Sequence, residues 1–204
     1  MAPSIDGTVH TFEEHGLYDG LFLMRDDETE TYWDHMTGEA VYGPLTGTQL
    51  EVRNIYQTTV EQMLEFTPDA NVAVREREPR SEERLGLGGL VQSMNRKLNP
   101  MFQSTVREED PRRPTMDLGI GLWDGDVSRY YPHETIMARD NAVFDTFNGR
   151  RVLVVLDPTA YALAAYYTDA ESYRWDGKVL HLSDGSVLEG GVLYDSAGEK
   201  ADLD

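Results

Sequence analysis

Five residues whose side chains can bind a metal lie in two short stretches of the sequence. Asp34, His35 and Glu39 belong to the first stretch, and His133 and Glu134 belong to the second. Imidazole nitrogens and carboxylate oxygens are together good ligands for divalent metals. If the two stretches meet in the fold, we expect Asp34, His35, His133 and Glu134 to form a metal site, with the identity of the metal and of any other cofactor left open.

The same residues also have a structural interpretation. Asp34 and His35 can flank a turn, and Glu134 can favour a helix as an acidic residue near its amino terminus. The five histidines of the chain include no His-x-x-x-His pair, which would place two imidazoles on one helical face. The spacing therefore leaves both interpretations open.

A second group of candidates surrounds Asn141. Asp140 and Asp145 can act as a carboxylate pair for acid/base catalysis or for a cation. Equally, Asp140 and Asn141 are typical turn residues, and Asp145 can accept a hydrogen bond from a backbone amide. No Gly-x-Ser-x-Gly nucleophile motif is present, so whether the protein is an enzyme stays open.

Six tyrosines can either pack in the core or line a ligand cleft: Tyr130, Tyr131, Tyr161, Tyr166, Tyr167 and Tyr173.

The charge of the chain restricts its partners. The 37 acidic residues outnumber 18 basic ones, which gives a formal net charge of -19. Nucleic acids and anionic membrane surfaces attract clustered Lys and Arg, so we expect neither as a partner, while a small-molecule or protein partner stays open. The excess of acid favours a protein from a salt-accumulating organism, in which salt screens the repulsion.

Cysteine is absent, which excludes disulfides, thiolate metal sites and cysteine nucleophiles. No stretch approaches the roughly 20 apolar residues of a membrane helix. The first residues contain no basic region followed by an apolar one, so we expect a cytoplasmic protein.

The elements that must position the candidates are mostly strands. Alternating and apolar patterns predict strands over 7–12 and 17–24, and a helix that is capped by Thr58 or Thr59 and extends to Phe66. A further short helical turn is predicted from Pro132 to Ala138. The second half predicts two hairpins and two later strands: 118–123 with 127–131, 143–147 with 151–156, and two strands within 173–195. Residues 152–156 are apolar on both faces and are predicted to be the central buried strand.

These elements predict an α+β protein, mainly antiparallel β, with three parts. A first β-rich unit covers 1–74, and a second covers 116–204. Between them, 75–115 mixes charges with glycine and proline, which favours a mobile insertion.

Two segments repeat at an offset of 170 residues. Residues 5–10 align with 175–180, and 20–24 align with 190–194. The unbroken register predicts that the two sheet units are related by duplication.

Two motifs carry a resemblance to a known family. Residues 37–50 follow the pattern Thr-Gly-Glu-Ala-x-x-Gly-Pro-Leu-x-Gly-x-x-Leu, and 125–149 place Tyr-Pro before Asn-x-x-Phe-Asp-x-x-x-Gly. Both resemble the domain of unknown function 3179, whose apolar strand matches 152–156. The first unit then looks incomplete at its amino terminus, so we expect that translation starts upstream or that the chain is truncated.

The chain departs from this family after its apolar strand. The resemblance implies a Cys-Pro-x-Cys segment there, but this chain has Asp157, Pro158, Thr159 and Ala160. The thiol chemistry that the resemblance implies is therefore absent from this half of the chain. We expect a non-enzymatic binding or structural module, or alternatively a metal-binding protein that uses histidine and carboxylate ligands.

Overall fold

In a computed structural model, the chain is built mainly of antiparallel strands with short helices, which confirms the predicted fold class. The structure describes residues 3–55, 57–73, 100–115 and 117–201. It divides into two compact units. The first contains the described residues of 3–54 and 100–115, and the second contains the others. The predicted boundaries of the three parts stay a prediction.

The first unit contains a small hairpin and a four-stranded meander. The predicted single strand over 17–24 is wrong, because Asp19 and Gly20 adopt positive φ angles of 48° and 76° and reverse the chain. Neighbouring strands of the meander pair in sequence order. The strands are β1 (Ser4–Ile5) and β2 (Thr8–Val9) in the hairpin, and β3 (Phe12–Tyr18), β4 (Leu21–Asp26), β5 (Tyr32–Asp34) and β6 (Ala40–Tyr42) in the meander.

The core of the first unit surrounds Trp33, which has no exposed surface. Ile5, Ala40 and Leu50 are buried with it, and the ring of Phe12 meets its indole edge-on at 5.9 Å. Met24, Trp33 and Ala40 pair across three neighbouring strands, so their side chains share the face of the meander that is buried.

Residues 100–115 pack on the hairpin of β3 and β4. They begin with the short helix α2 (Pro100–Gln103), from which Phe102 contacts Phe22 at a ring distance of 5.7 Å. The guanidinium of Arg107 lies 4.5 Å from the ring centroid of Tyr18. The rest of the predicted mobile insertion, 75–99, lies outside the described residues.

The second unit begins with helix α1 (Val60–Phe66), whose predicted cap is confirmed. Thr59 accepts a hydrogen bond from the Gln62 amide, and the Gln62 side chain accepts one from the Thr59 amide, which forms a capping box. Helix α3 (His133–Met137) confirms the predicted helical turn after Pro132. The strands are β7 (Gly119–Asp124), β8 (Val127–Pro132), β9 (Ala142–Phe147), β10 (Arg150–Leu156), β11 (Leu163–Tyr167), β12 (Tyr173–Asp176), β13 (Val179–Leu182), β14 (Val187–Glu189) and β15 (Val192–Tyr194).

Strand β10 lies between β9 and β11, which confirms the predicted central strand. Its two faces belong to two hydrophobic clusters. Val152, Val154 and Leu156 pack with residues of β8, β9 and α3. Leu153 and Val155 pack with residues of β9, β11 and the sheet of β12 to β15. The continuous apolar run is therefore explained by burial on both sides.

The last part of the chain differs from the prediction of two strands. It folds as four strands, because the chain turns at Gly177-Lys178, at Ser183 to Ser186 and at Gly190-Gly191. Residues 5–10 and 175–180 of the predicted repeat each carry an Asp-Gly pair at the turn of a short hairpin. Asp6-Gly7 connects β1 to β2, whereas Asp176 ends β12 and Gly177 begins the turn to β13. A common origin of the two units stays a prediction. No helix within the described residues has the length and apolar character needed to cross a bilayer.

Candidate functional site

The first unit brings together His10, Asp26 and Glu28. The His10 Nδ1 atom lies 3.2 Å from Asp26 Oδ1 and 3.6 Å from Glu28 Oε2. The three potential ligand atoms all lie within 4.8 Å of one another. The sequence did not reveal this group, because its members are brought together by strand pairing and follow no motif.

Backbone pairing positions all three residues. Strands β3 and β4 pair so that Phe12 faces Asp26, which brings the segment before β3 next to the turn after β4. His10 follows β2, and its amide donates to the carbonyl of Pro3 at 2.7 Å. Glu28 lies in the turn after β4, and its Oε2 accepts the amide of Thr11 at 2.9 Å.

Asp26 is completely buried and accepts hydrogen bonds on both carboxylate oxygens. The indole Nε1 of Trp33 donates to Oδ2 at 2.8 Å, and the amide of Thr29 donates to Oδ1 at 2.6 Å. The Thr29 hydroxyl lies 2.8 Å from each oxygen. Burial acts to raise the pKa of Asp26, but the hydrogen bonds from Trp33, Thr29 and His10 outweigh it and lower the pKa to about 2. The carboxylate is therefore charged at neutral pH.

His10 contacts both the buried Asp26 carboxylate and the partly exposed Glu28 carboxylate. Its side chain is 7% exposed, whereas that of Glu28 is 35% exposed. An ionised carboxylate only accepts hydrogen bonds, so in the His10–Asp26 hydrogen bond Nδ1 carries the proton. The group therefore has two possible chemical states: a hydrogen-bonded imidazole, or an imidazole whose Nδ1 has lost its proton and binds a cation.

The first part of the sequence-predicted metal site lies at the turn after β5. Asp34 Oδ1 accepts the amides of Met36 at 2.7 Å and Thr37 at 3.3 Å, as expected for a turn residue. His35 donates from Nδ1 to the carbonyl of Phe22 at 2.7 Å. In a neutral His35, this bond leaves a lone pair on Nε2.

The second part lies at the start of α3 in the other unit. The backbone amide of His133 donates to the carbonyl of Leu118 at 2.7 Å. Glu134 is exposed in the first helical turn, where a negative charge favours the helix dipole. Since Asp34 and His35 belong to one unit and His133 and Glu134 to the other, the four-residue site stays a prediction.

Asp145 accepts a hydrogen bond from a backbone amide, as its structural interpretation expects, and two more from side chains. Its Oδ2 accepts Arg129 Nη1 at 2.6 Å and the Tyr131 hydroxyl at 3.0 Å, while Oδ1 accepts the Thr146 amide at 2.7 Å. Burial acts to raise the pKa of Asp145, but these donors outweigh it and lower the pKa. Asp140 has a positive φ of 57°, and its carbonyl accepts the indole of Trp175.

Asp157 stands where the family resemblance implies the first cysteine. Only 5% of the residue is exposed. Its Oδ1 accepts the amides of Thr159 at 2.6 Å and Ala160 at 2.8 Å, and its Oδ2 accepts Gln62 Nε2 at 3.0 Å. The carboxylate therefore stabilises the turn after β10 and links this turn to α1 by a hydrogen bond.

Three of the six candidate tyrosines pack against other residues of the second unit. Tyr131 and Tyr166 belong to the two cores of the second unit, and the Tyr166 hydroxyl donates to the Gly191 carbonyl at 2.8 Å. The Tyr173 hydroxyl donates to the Ala142 carbonyl at 3.0 Å. These contacts agree with packing as the role of all three.

Comparison with known proteins assigns the chain to a family. Its architecture is that of a mainly antiparallel β protein with two compact units. Residues 2–201 match the family described as "Protein of unknown function (DUF3179)", and the chain therefore belongs to it. This confirms the resemblance seen in the two sequence motifs. No curated protein and no solved structure matches the chain.

Proposed function

We propose that this protein is a non-enzymatic binding or structural module of its family. The observation that carries the proposal is the hydrogen bonding of Asp157 at the end of the central strand. Both oxygens of this buried carboxylate accept donors of the protein itself, from the turn after β10 and from Gln62. A residue at this position then acts as a structural acceptor, where the resemblance implies thiol chemistry.

The stability of Asp157 variants tests this proposal. A catalytic or ligand-binding group usually costs stability, so its replacement often stabilises the fold. A structural acceptor behaves in the opposite way, and we expect Asp157→Asn and Asp157→Ala to lower the free energy of unfolding by about 1–3 kcal/mol. Urea denaturation in molar KCl measures the change.

Asp169→Asn provides the matched control, because Asp169 is exposed. We expect it to change the free energy of unfolding by less than about 0.5 kcal/mol. A clear gain in stability on replacing Asp157 would contradict the structural role and would direct the search to ligands of the turn after β10.

Metal binding at Asp34, His35, His133 and Glu134 is the second candidate function. The bond from His35 Nδ1 to the Phe22 carbonyl favours it, because metal-binding histidines commonly donate their other ring N–H to a carbonyl or carboxylate. Such a bond fixes the ring with Nε2 available to a metal.

Elemental analysis of protein purified without chelator tests this candidate. This candidate predicts that the wild type holds one equivalent of metal more than the His35→Ala, His133→Ala double variant. Equal metal content in the two proteins would refute the four-residue site.

A further inference from the structure

We propose that His10, Asp26 and Glu28 form a separate binding site for a divalent transition-metal ion of the Zn²⁺ type in the first unit. The site is independent of the module proposed above and of the four-residue candidate, with which it shares no residue. It would use one imidazole nitrogen and two carboxylate oxygens.

The distances suit a small metal ion. Zinc binds imidazole nitrogen and carboxylate oxygen at about 2.0–2.2 Å, so neighbouring ligands in a tetrahedral site are ~3.3 Å apart. His10 Nδ1 lies 3.2 Å from Asp26 Oδ1 and 3.6 Å from Glu28 Oε2. The two carboxylate oxygens lie within 4.8 Å of each other, so Glu28 has to move by up to about 1.5 Å for all three atoms to reach one cation.

The two carboxylates are already oriented by other groups. Trp33 Nε1 and the Thr29 amide fix the Asp26 carboxylate, and the Thr11 amide fixes Glu28 Oε2. Metal ligands in proteins are typically held by such outer hydrogen bonds, which lower the cost of ordering the site. Carboxylate oxygens can accept a hydrogen bond and bind a metal at the same time, because each carries two lone pairs.

The ligand types select among the metals. Ca²⁺ prefers six to eight oxygen ligands, and Mg²⁺ keeps several of its waters, whereas imidazole favours Zn²⁺ and related transition ions. Binding requires the tautomer of His10 that is protonated on Nε2: the Nδ1 proton passes to solvent, Nε2 takes up a proton from solvent, and the Nδ1 lone pair binds the metal between the two carboxylates. Three protein ligands leave a fourth position for water or another small ligand.

Burial adds to the charge complementarity of the site. Asp26 is fully buried, and the His10 side chain is only 7% exposed, so the negative charge near Nδ1 is poorly screened by water. Glu28, at 35% exposure, leaves the group open to solvent on one side. A cation can therefore enter from the surface and meet the buried carboxylate.

Titration of the 204-residue chain with Co²⁺ tests the proposal. Chelator-treated protein is titrated in molar KCl, which suppresses loose binding to the acidic surface, and visible absorption reports Co²⁺ in a site of low coordination number. Competition with Zn²⁺ then measures the zinc affinity. We expect a saturable site in the wild type that does not depend on His35 or His133.

Two variants locate the metal. Gln at position 28 can still accept the Thr11 amide through its side-chain oxygen but lacks the anionic ligand, so Glu28→Gln should fold normally. We expect Glu28→Gln and His10→Ala each to weaken binding at least about tenfold. If His10→Ala does not fold, Glu28→Gln alone decides.

Two controls separate this site from other histidines. His15→Ala removes an exposed histidine of the same unit, and the His35→Ala, His133→Ala variant removes the four-residue candidate. We expect both variants to retain the Co²⁺ site that Glu28→Gln weakens. Absence of binding by the wild type, or unchanged binding by Glu28→Gln, would overturn the proposal.

Discussion

The indole of Trp33 donates a hydrogen bond to the Asp26 carboxylate at 2.8 Å, and neither residue has exposed surface. One residue thus supplies both the largest side chain of the first core and the donor for a buried charge. A buried carboxylate that loses a donor pays the desolvation cost without compensation. The packing and the electrostatics of this unit are therefore coupled through one side chain.

Replacement of Trp33 by Phe should separate these two roles. The ring is kept in part while the donor is lost, so we expect the free energy of unfolding to fall by about 2–4 kcal/mol. Trp175→Phe is the matched control, because that indole donates to a neutral carbonyl of Asp140 and is only half-buried. Urea denaturation followed by circular dichroism should show a clearly smaller loss in the control, and equal losses would refute the coupling.

Acid should remove the stabilisation that Asp145 provides. Its pKa in the folded protein lies below the ordinary value of 3.8, so the folded state binds fewer protons than the unfolded state. The stabilisation is thus present above about pH 4 and is lost as the pH falls through the folded pKa. We expect the wild type to be more stable than Asp145→Asn at pH 7, and this difference to shrink below pH 4.

Urea midpoints at several pH values measure that difference. Asp169→Asn, which replaces an exposed carboxylate, should show no such pH-dependent gap. A gap between wild type and Asp145→Asn that stays constant down to pH 2 would contradict the role of the Arg129 and Tyr131 hydrogen bonds.

Gly43 should be far less replaceable than Gly47, although both adopt positive φ angles, of 116° and 87°. A Cβ atom at Gly43 would lie 2.8 Å from the Cα of buried Thr31, whereas one at Gly47 would meet nothing within 4 Å. We expect Gly47→Ala to cost about 1 kcal/mol and Gly43→Ala to cost a further 1–3 kcal/mol. Thermal unfolding of the two variants checks the difference in cost.

Salt should stabilise the protein strongly. The net charge of -19 repels itself in the compact state, and the Debye length shortens from about 10 Å at 0.1 M salt to about 3 Å at 1 M. We expect most of the rise in melting temperature to occur below 1 M KCl. Sucrose stabilises proteins without screening charge, so a similar response to sucrose and to KCl would argue against charge repulsion.

Local patterns predicted the parts of the fold that depend on neighbours in sequence. The capping residue Thr59, the hairpin of 143–147 with 151–156 and the apolar run of β10 each depend on residues close in sequence, and the structure confirms all three. The apolar run from 17 to 24 favours a single strand, but the Asp19-Gly20 pair within it is a typical two-residue hairpin turn, and both residues adopt positive φ angles.

The candidate sites were harder to predict, because their contacts join distant residues. His10 meets Asp26 only through the pairing of β3 with β4, which contains a bulge between Glu14 and Leu17. Asp157 meets Gln62 across 95 residues. The spacing of residues along the chain does not predict such contacts. Which carboxylates are buried or close to a histidine therefore becomes clear only once the pairing of the strands is known.

The two-sided burial of β10 has a consequence for how the second unit opens. Because the same strand supplies both hydrophobic clusters, neither cluster can come apart while the other stays intact around β10. Amide hydrogens on this strand should then exchange with solvent only through global unfolding of the unit, and those on both sides should share one exchange free energy. The second unit would then unfold as one cooperative block, and the amides of β10 would be protected from exchange until that unfolding.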